Sequence, residues 1–482
     1  MRANYGKNLR LYLSANTALK EIVDFGELPV FEDAAAMTAI LLTQRESVDA
    51  QTFQFTQMQT LDFDSLQAEI DRIGEQLDQE ALGENWTLAR ADEIRILNKI
   101  KENSVTLTEY CGGQIQSGIK TGFNKAFIID AETRDYLIDE DPRSAEIIKP
   151  CVAGDDIRQY EIQFRERYLI WTYIGVPIEQ YPAVFNHLQQ FEGRLVRRQD
   201  QGEHWWELRS CSYYDDFEKP KIVYPDISMS CRFCFDESGL FLTNNAYLIP
   251  ASDLYLLALL NSHLTFYYLK HICMALGDAD QGGRLRFIYQ YMQDLPIRRI
   301  NFTTPADERD RQLEKAKTLY QFCLNKGSTD CLLGFVKHHL TADPERSDVV
   351  HDLLAFLAEG MVEMNKAKGE EIRGFLRWLE REIGVKIDTL KNKTSIQRYF
   401  NLPFERLLEI LKSNRRSIAI DLSSREFQES LAREFTKSLG KLNPLLTRIQ
   451  GTDALIDQVV YQLYGLTDEE SAIVEGNVYG EF

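Results

Sequence analysis

The sequence predicts a mixed α/β and α+β chain of about three domains that ends in a helical region. Three observations carry this. At 482 residues and 55.8 kDa the chain exceeds one compact domain, which usually holds ~100–200 residues. Hydrophobic residues at 44% and charged residues at 27% are ordinary globular values, and they exclude a mainly disordered, collagenous or coiled-coil chain. The texture also changes along the chain, from short aromatic and β-branched runs to helical spacing near residue 300.

Taken in order, residues 1–43 hold a helix-like run from Leu9 to Leu13. A strand from Leu19 to Phe25, stopped by Gly26, follows, then Val30-Phe31 and a second strand from Met37 to Leu42. One helix and two strands cannot close a core alone, so this segment reads as the last part of a sheet whose earlier strands lie elsewhere. Residues 44–109 are acidic and Gln-rich, with helical spacing at Leu66, Ile70, Ile73 and Leu77, and read as an acidic helical linker. Residues 110–300 carry many short strands, such as Ala126–Ile129, Tyr168–Trp171 and Lys221–Tyr224, which predicts an α+β domain. Within it, the apolar run from Ser252 to Leu269 outlasts a strand and predicts one helix. Residues 301–482 show apolar stripes at Val350, Leu354, Leu357, Met361 and Met364, again at Ile372, Phe375, Leu379 and Ile383, and from Phe427 to Leu442. These predict core-facing helices, with Ser347 as an N-cap and Thr467 with Glu470 as a capping box.

The formal net charge is -19, from 55 basic and 74 acidic residues, and as a mean it argues against nucleic acid. The acid is concentrated, however, in residues 46–109 and in residues 451–482, where 7 acidic residues face no Lys or Arg. Basic clusters survive elsewhere: Arg194, Arg197 and Arg198; Arg284, Arg286, Arg298 and Arg299; Lys412, Arg415 and Arg416. A locally basic face is what phosphate contact requires. The 8 cysteines follow no regular spacing, and the Cys231/Cys234 pair has no second pair to complete four zinc ligands. No disulfide framework and no metal are expected. No apolar run approaches the ~18 residues of a membrane span, so no membrane partner is expected and a cytoplasmic protein is. There is no GxxxxGK[ST] loop and no GxGxxG after a strand. His338-His339, Asp155-Asp156 and Glu370-Glu371 read as solvated faces, and no catalytic residue is assigned.

The stretch Gly112 to Phe127 places glycines, Lys120, Thr121, Asn124 and Lys125 directly before a strand. Glycines let backbone N–H groups approach a phosphate, while Lys and Thr add charge and a hydroxyl. A Gly-rich turn with exposed lysines accounts for the same residues.

Several stretches in order carry a family resemblance. They are Ser117 to Phe127, then Ile147-Ile148-Lys149-Pro150 with Gly154-Asp155-Asp156-Ile157, and Trp206-Glu207-Leu208-Arg209. Lys219 to Pro225, Leu259-Leu260-Asn261-Ser262 and Leu295-Pro296-Ile297 complete the set. Residues 110–300 resemble the target-recognition domain of TaqI-like adenine-N6 DNA methyltransferases and type IIG restriction–modification enzymes. Ile456-Asp457 and Tyr461 to Glu470 are similar to the tail of the type IIG members. Residues 1–43 look like the end of the methyltransferase domain, a remnant of its Rossmann-like sheet. The resemblance implies that Phe31, after Leu28-Pro29-Val30, stacks on a flipped adenine; a core residue at a strand start is the alternative. It further implies that double-stranded DNA meets Lys120, Thr121, Asn124, Lys125, Arg158, Arg284 and Arg286, with Trp205, Trp206 and Arg209 where specificity is set. The family's cofactor loop and its Asn/Asp-Pro-Pro-aromatic loop are not found: Asp141-Pro142 is followed by Arg143, and Asn443-Pro444 by Leu445. The expectation is therefore a DNA-specificity portion, from a truncated or split system, that binds no cofactor and is not catalytic alone. S-adenosylmethionine would serve the complete enzyme, and a partner chain would carry the missing methyltransferase half. Two alternatives are a subunit active only in trans and a helical scaffold of a phage-defence complex.

Overall fold

The computed structural model describes residues 6–478 apart from 27, 32–37, 46–51, 59, 80–81, 83–85, 87–90, 274 and 277–282. Helix α1 (Lys7–Asn16) leads into β1 (Ala18–Asp24), whose Ala18, Leu19, Ile22 and Val23 are fully buried. β1 pairs antiparallel with β2 (Ala39–Gln44) and parallel with β3 (Thr52–Gln57). After α2 (Leu66–Ile73), capped by the Ser65 hydroxyl on the Ala68 N–H, β4 (Glu75–Asp78) pairs antiparallel with β3. The sheet order is β2-β1-β3-β4. Leu19, Ile22, Phe53, Phe55, Leu77, Leu82 and Trp86 close a small core under it.

This corrects the reading of residues 44–109 as a helical linker. Phe53 and Phe55 alternate with Gln and Thr at the strand period, and that spacing outweighs the polar composition around them. The partners of the first strands lie downstream in this same chain, and the expected border at residue 43 runs through a sheet. Met37, the expected start of the second strand, lies outside the described residues; β2 begins at Ala39.

Helix α3 (Ala91–Lys101) and β5 (Ser104–Thr106) lead into α4 (Leu107–Cys111), which is opened by a Thr106/Glu109 capping box. Small sheets follow. β6 (Gln116–Ser117), α5 (Asn124–Phe127) and β7 (Ile128–Ile129) precede β8 (Ile148–Val152), β9 (Ile157–Arg158), β10 (Glu161–Ile162) and β11 (Arg167–Ile170). Further on come β12 (Lys221–Pro225), β13 (Ile227–Ser228), β14 (Cys234–Asp236), β15 (Phe241–Leu242) and β16 (Ala246–Ile249). Two four-stranded sheets, β15-β8-β11-β7 and β14-β12-β16-β6, share an apolar core that includes Phe127, Ile170, Phe217 and Val223. The single helix expected from Ser252 is two, α6 (Leu254–Asn261) and α7 (His263–Ile272). Ser262 breaks the run by taking extended backbone and capping the Thr265 N–H, a local alternative that serine offers the backbone. β17 (Ala275–Leu276), β18 (Arg284–Arg286) and β19 (Pro296–Arg298) end this part.

The remainder is helical: α8 (Ala306–Lys326), α9 (Asp330–Leu340), α10 (Ser347–Ile383), α11 (Phe404–Ser413), α12 (Arg425–Leu463) and α13 (Asp468–Val478). The fold is mixed α/β with a helical carboxy-terminal region. Leu353, Leu357 and Met361 of α10 and Leu455, Val459 and Leu463 of α12 enter the same core as Tyr255, Leu256 and Leu260 of α6. Their other halves, Phe375, Leu379 and Ile383 with Phe427, Leu431 and Phe435, close a second helical core. The two helices therefore run antiparallel, each serving both cores. Ser347 is the first helical residue rather than the cap, whereas Thr467 and Glu470 make their reciprocal bonds at 2.8 and 3.3 Å. His339 is buried rather than solvated, and burial holds its imidazole down to about 4. Asp156 is likewise fully buried, ion-paired with Arg167 and 3.2 Å from Arg165.

Candidate nucleic-acid interface

The Gly-rich turn is built by close backbone packing. A Cβ on Gly118 would lie 2.0 Å from the Thr243 carbonyl oxygen, where Ile119 bridges to Thr243. Gly122 takes φ +68°, the left-handed region that glycine adopts freely. Thr121 is buried at 2%; its hydroxyl donates to Asn124 Oδ1 at 2.6 Å and accepts from the Phe123 N–H at 3.2 Å. Arg198, expected in a basic surface cluster, is also buried. Its guanidinium donates to the carbonyls of Thr121, Glu207 and Trp205 and lies 4.4 Å over the Phe127 ring. Burial pulls it down to about 10. Thr121 and Arg198 thus staple the turn to the 198–207 loop, with both side chains buried. Lys120, Asn124 and Lys125 are exposed, and both lysines lack an ion-pair partner among the described residues.

The other residues expected at DNA divide. Trp205 and Trp206 are half-buried, pack on Phe185 at 5.7 and 5.8 Å, and Trp206 stacks on His204 at 4.4 Å. They shape the core edge rather than offering free faces. Arg209 is exposed, with Nη1 3.4 Å from Asp200 Oδ1. Arg284 and Arg286 lie on strand β18. Arg284 is exposed and unpaired among the described residues, whereas Arg286 reaches Asp226 at 3.3 Å. Phe31 is 58% exposed, which removes the core-residue explanation for it.

Arg158 is half-buried on the β9–β10 hairpin, donating to the carbonyls of Asp155 and Ile157 at 2.9 Å. Burial first, then the charges of Arg165 and Arg398, lowers Arg158, and burial, then the charges of Arg158 and Arg398, lowers Arg232; the sequence alone singles out neither Arg232 nor Arg398. No local motif marks either one.

Among the described residues, no group of three or more His, Cys, Asp or Glu converges on a metal position. Burial pushes the Cys231 and Cys234 thiols well above their ordinary range. Asn443-Pro444 lies inside helix α12, and Asp141-Pro142 follows a helix in a turn. No helix among the described residues is long and apolar enough to cross a membrane.

Residues 149–297 match the family described as the TaqI-like C-terminal specificity domain, and residues 348–460 match a domain of unknown function. The type II methyltransferase M.BanIII of Aneurinibacillus aneurinilyticus is 22% identical over 371 residues, covering 64% of this chain and 63% of its own length. The type II methyltransferase M.PaeR7I of Pseudomonas aeruginosa is 26% identical over 323 residues, covering 62% of this chain and 54% of its own. The chain thus spans less than two thirds of the length of these relatives. Among solved structures, the type IIL restriction-modification enzyme MmeI aligns over 72% of this chain and 43% of its own, with 13% identity and a TM-score of 0.39. The strands and turns from β8 to β19 accordingly match a TaqI-like C-terminal specificity domain, on a chain similar to type II methyltransferases.

Proposed function

We propose that this chain grips duplex DNA and reads a short target sequence for a site-specific adenine-N6 methyltransferase of a restriction–modification system. The match of residues 149–297 to a specificity domain carries the reading. The exposed cations Lys120, Lys125, Arg209 and Arg284, on a chain of net charge -19, support it. Methyl transfer from S-adenosylmethionine would then be done by polypeptide other than these 482 residues, in which the amino-group-holding loop is not found. Phe31, exposed between β1 and β2, is suited to stack on an extruded adenine and offset part of the unstacking cost of a few kcal/mol.

Duplex binding measured by fluorescence anisotropy at several salt concentrations tests the reading. Neutralising Lys120 and Lys125 together should weaken binding about equally for all sequences, and should lower the log–log salt slope by ~0.9 for each phosphate no longer neutralised. An unchanged slope would make the turn purely structural. Arg209→Ala should instead change preference among sequences, by roughly 1–3 kcal/mol for a bidentate base contact. A uniform loss across all sequences would move Arg209 to the phosphate set. Failure of the native chain to bind duplex DNA at moderate salt would leave the helical-scaffold reading.

A further inference from the structure

The β9–β10 hairpin docks on helix α10, and a row of arginines starts at the contact. Glu161 of the hairpin pairs with Lys368 at 3.2 Å. A Cβ on Gly369 would lie 2.5 Å from Glu161 Oε1 and 3.1 Å from Arg373 Nη1. Arg373, Arg377 and Arg381 then follow at four-residue spacing, which stacks them along one face of the helix. All three are exposed. Arg377 Nε donates to the Arg373 carbonyl and Arg381 Nε to the Arg377 carbonyl, each at 3.3 Å. Beside them an open groove of about 680 Å³ is lined by Gly374, Arg377, Arg381, Gly384 and Lys386. A Cβ at Gly374 or Gly384 would meet no atom within 4 Å, so the backbone is bare there.

Like charges four residues apart on a helix repel and disfavour it. Other exposed arginines of the helical region meet a carboxylate on their own helix: Arg406 reaches Glu409 at 2.9 Å and Arg425 reaches Glu429 at 2.6 Å. Arg373, Arg377 and Arg381 have no ion-pair partner among the described residues. Two neighbouring carboxylates are engaged elsewhere: Glu371 by Lys441 at 2.7 Å, and Glu380, in the groove, by Lys386 at 3.4 Å and the Ile387 N–H at 2.9 Å. Glu370 and Glu382 pair with none of the three. The helix dipole favours Arg381, in the last turn, but does not reach Arg373 or Arg377. Planar guanidinium forks suit phosphate oxygens. The row rises ~12 Å along the helix, roughly the span of three to four phosphates of one DNA strand. A repeating cation row fits a repeating anion.

We infer that Arg373, Arg377 and Arg381 form a track for the backbone phosphates of duplex DNA. The track starts where the hairpin of the specificity domain docks, so it receives the strand that runs on from the sequence being read. This rests on the DNA-binding reading above for the identity of the anion. The helical region, whose residues 348–460 match a domain of unknown function, thereby acquires a role as the second half of the grip.

The test uses the full chain and the triple variant Arg373→Gln, Arg377→Gln and Arg381→Gln, with Arg425→Gln as control because Arg425 is already paired. Anisotropy with mixed-sequence duplexes at several salt concentrations should give a log–log slope lower by up to ~2.7 in the triple variant, at ~0.9 for each phosphate left unneutralised, and unchanged in the control. Affinity should fall about equally for all sequences. The melting temperature of the triple variant should equal or exceed that of the native chain, because the substitutions remove like-charge neighbours. A clear fall in melting temperature would make the row structural and overturn the track. A changed preference among sequences would put the arginines at base edges and overturn the phosphate assignment. Native duplex binding with an unchanged slope in the triple variant overturns the track while leaving the DNA reading intact. Failure of the native chain to bind duplex overturns the DNA reading, and the track with it.

Discussion

Replacing Lys221 by methionine should cost the folded chain about 3–5 kcal/mol, the usual penalty for orphaning one partner of a buried ion pair. Lys221 lies on β12 with its side chain fully buried, and its ammonium donates to Asp236 Oδ2 and to the Phe217 carbonyl, each at 2.5 Å. Burial pulls the lysine down and the Asp236 charge pulls it back up. Without the ammonium, Asp236 keeps only the N–H groups of Ser238 and Leu240 and the Ser238 hydroxyl as donors. Adding Asp236→Asn should recover part of the loss, because the amide removes the charge and keeps an acceptor. Urea denaturation followed by tryptophan fluorescence checks this. A loss below about 1 kcal/mol in Lys221→Met would mean that water reaches the site and the pair is not dry.

Asp453→Asn should reverse its effect on stability between mildly acidic and alkaline solution. Asp453 sits on α12 one turn before Asp457, and accepts from Gln159 Nε2 at 3.0 Å. Burial first, then the Asp457 charge, pushes its carboxyl up from 3.8 to about 7, against the pull of His263 and Gln159. The folded chain therefore holds this proton more tightly than the unfolded chain does. The stabilisation is fully present below pH ~4 and is lost as pH rises through ~7. The gap from 3.8 to about 7, at ~1.4 kcal/mol per pH unit, sets an upper bound near ~4 kcal/mol. His339 acts in the opposite sense, losing stabilisation as pH falls from 6.5 through about 4, so the difference between the two chains isolates Asp453. In thermal melts the variant should be no more stable than the native chain at about pH 5, and clearly more stable at about pH 8.5. A constant difference across that range would show that Asp453 stays ionised in the folded chain.

Period was readable in the sequence, and so was one of the two expected caps. The stripes of α10 and α12 and the Thr467/Glu470 box stand where spacing places them. Residues 44–109 misled because acid and glutamine hide a two-residue period at Phe53 and Phe55 that becomes a strand only beside β1. In the candidate site, the ordered stretches from Ser117 to Ile297 pointed to the specificity domain, since such motifs are local. Which cations face solvent was not readable. Arg198 and Lys120 are both basic residues near the Gly-rich turn, yet backbone carbonyls bury one and leave the other free.

The antiparallel pair α10 and α12 also acts mechanically. A helix of 37 residues is ~55 Å long at 1.5 Å per residue. Joined side by side, the two helices form a beam with one apolar core clamped at each end. Pro444 interrupts the beam near its middle: it has no N–H for the carbonyl of Gly440, which is exposed and can turn to water instead. The Lys441–Glu371 bridge at 2.7 Å braces α12 to α10 three residues before that point. A lever of this length magnifies small bends. A bend of about 5° at Pro444 moves either end of α12, ~28 Å away, by ~2.5 Å. The straightness of the beam at Pro444 therefore sets where the second helical core stands relative to the first.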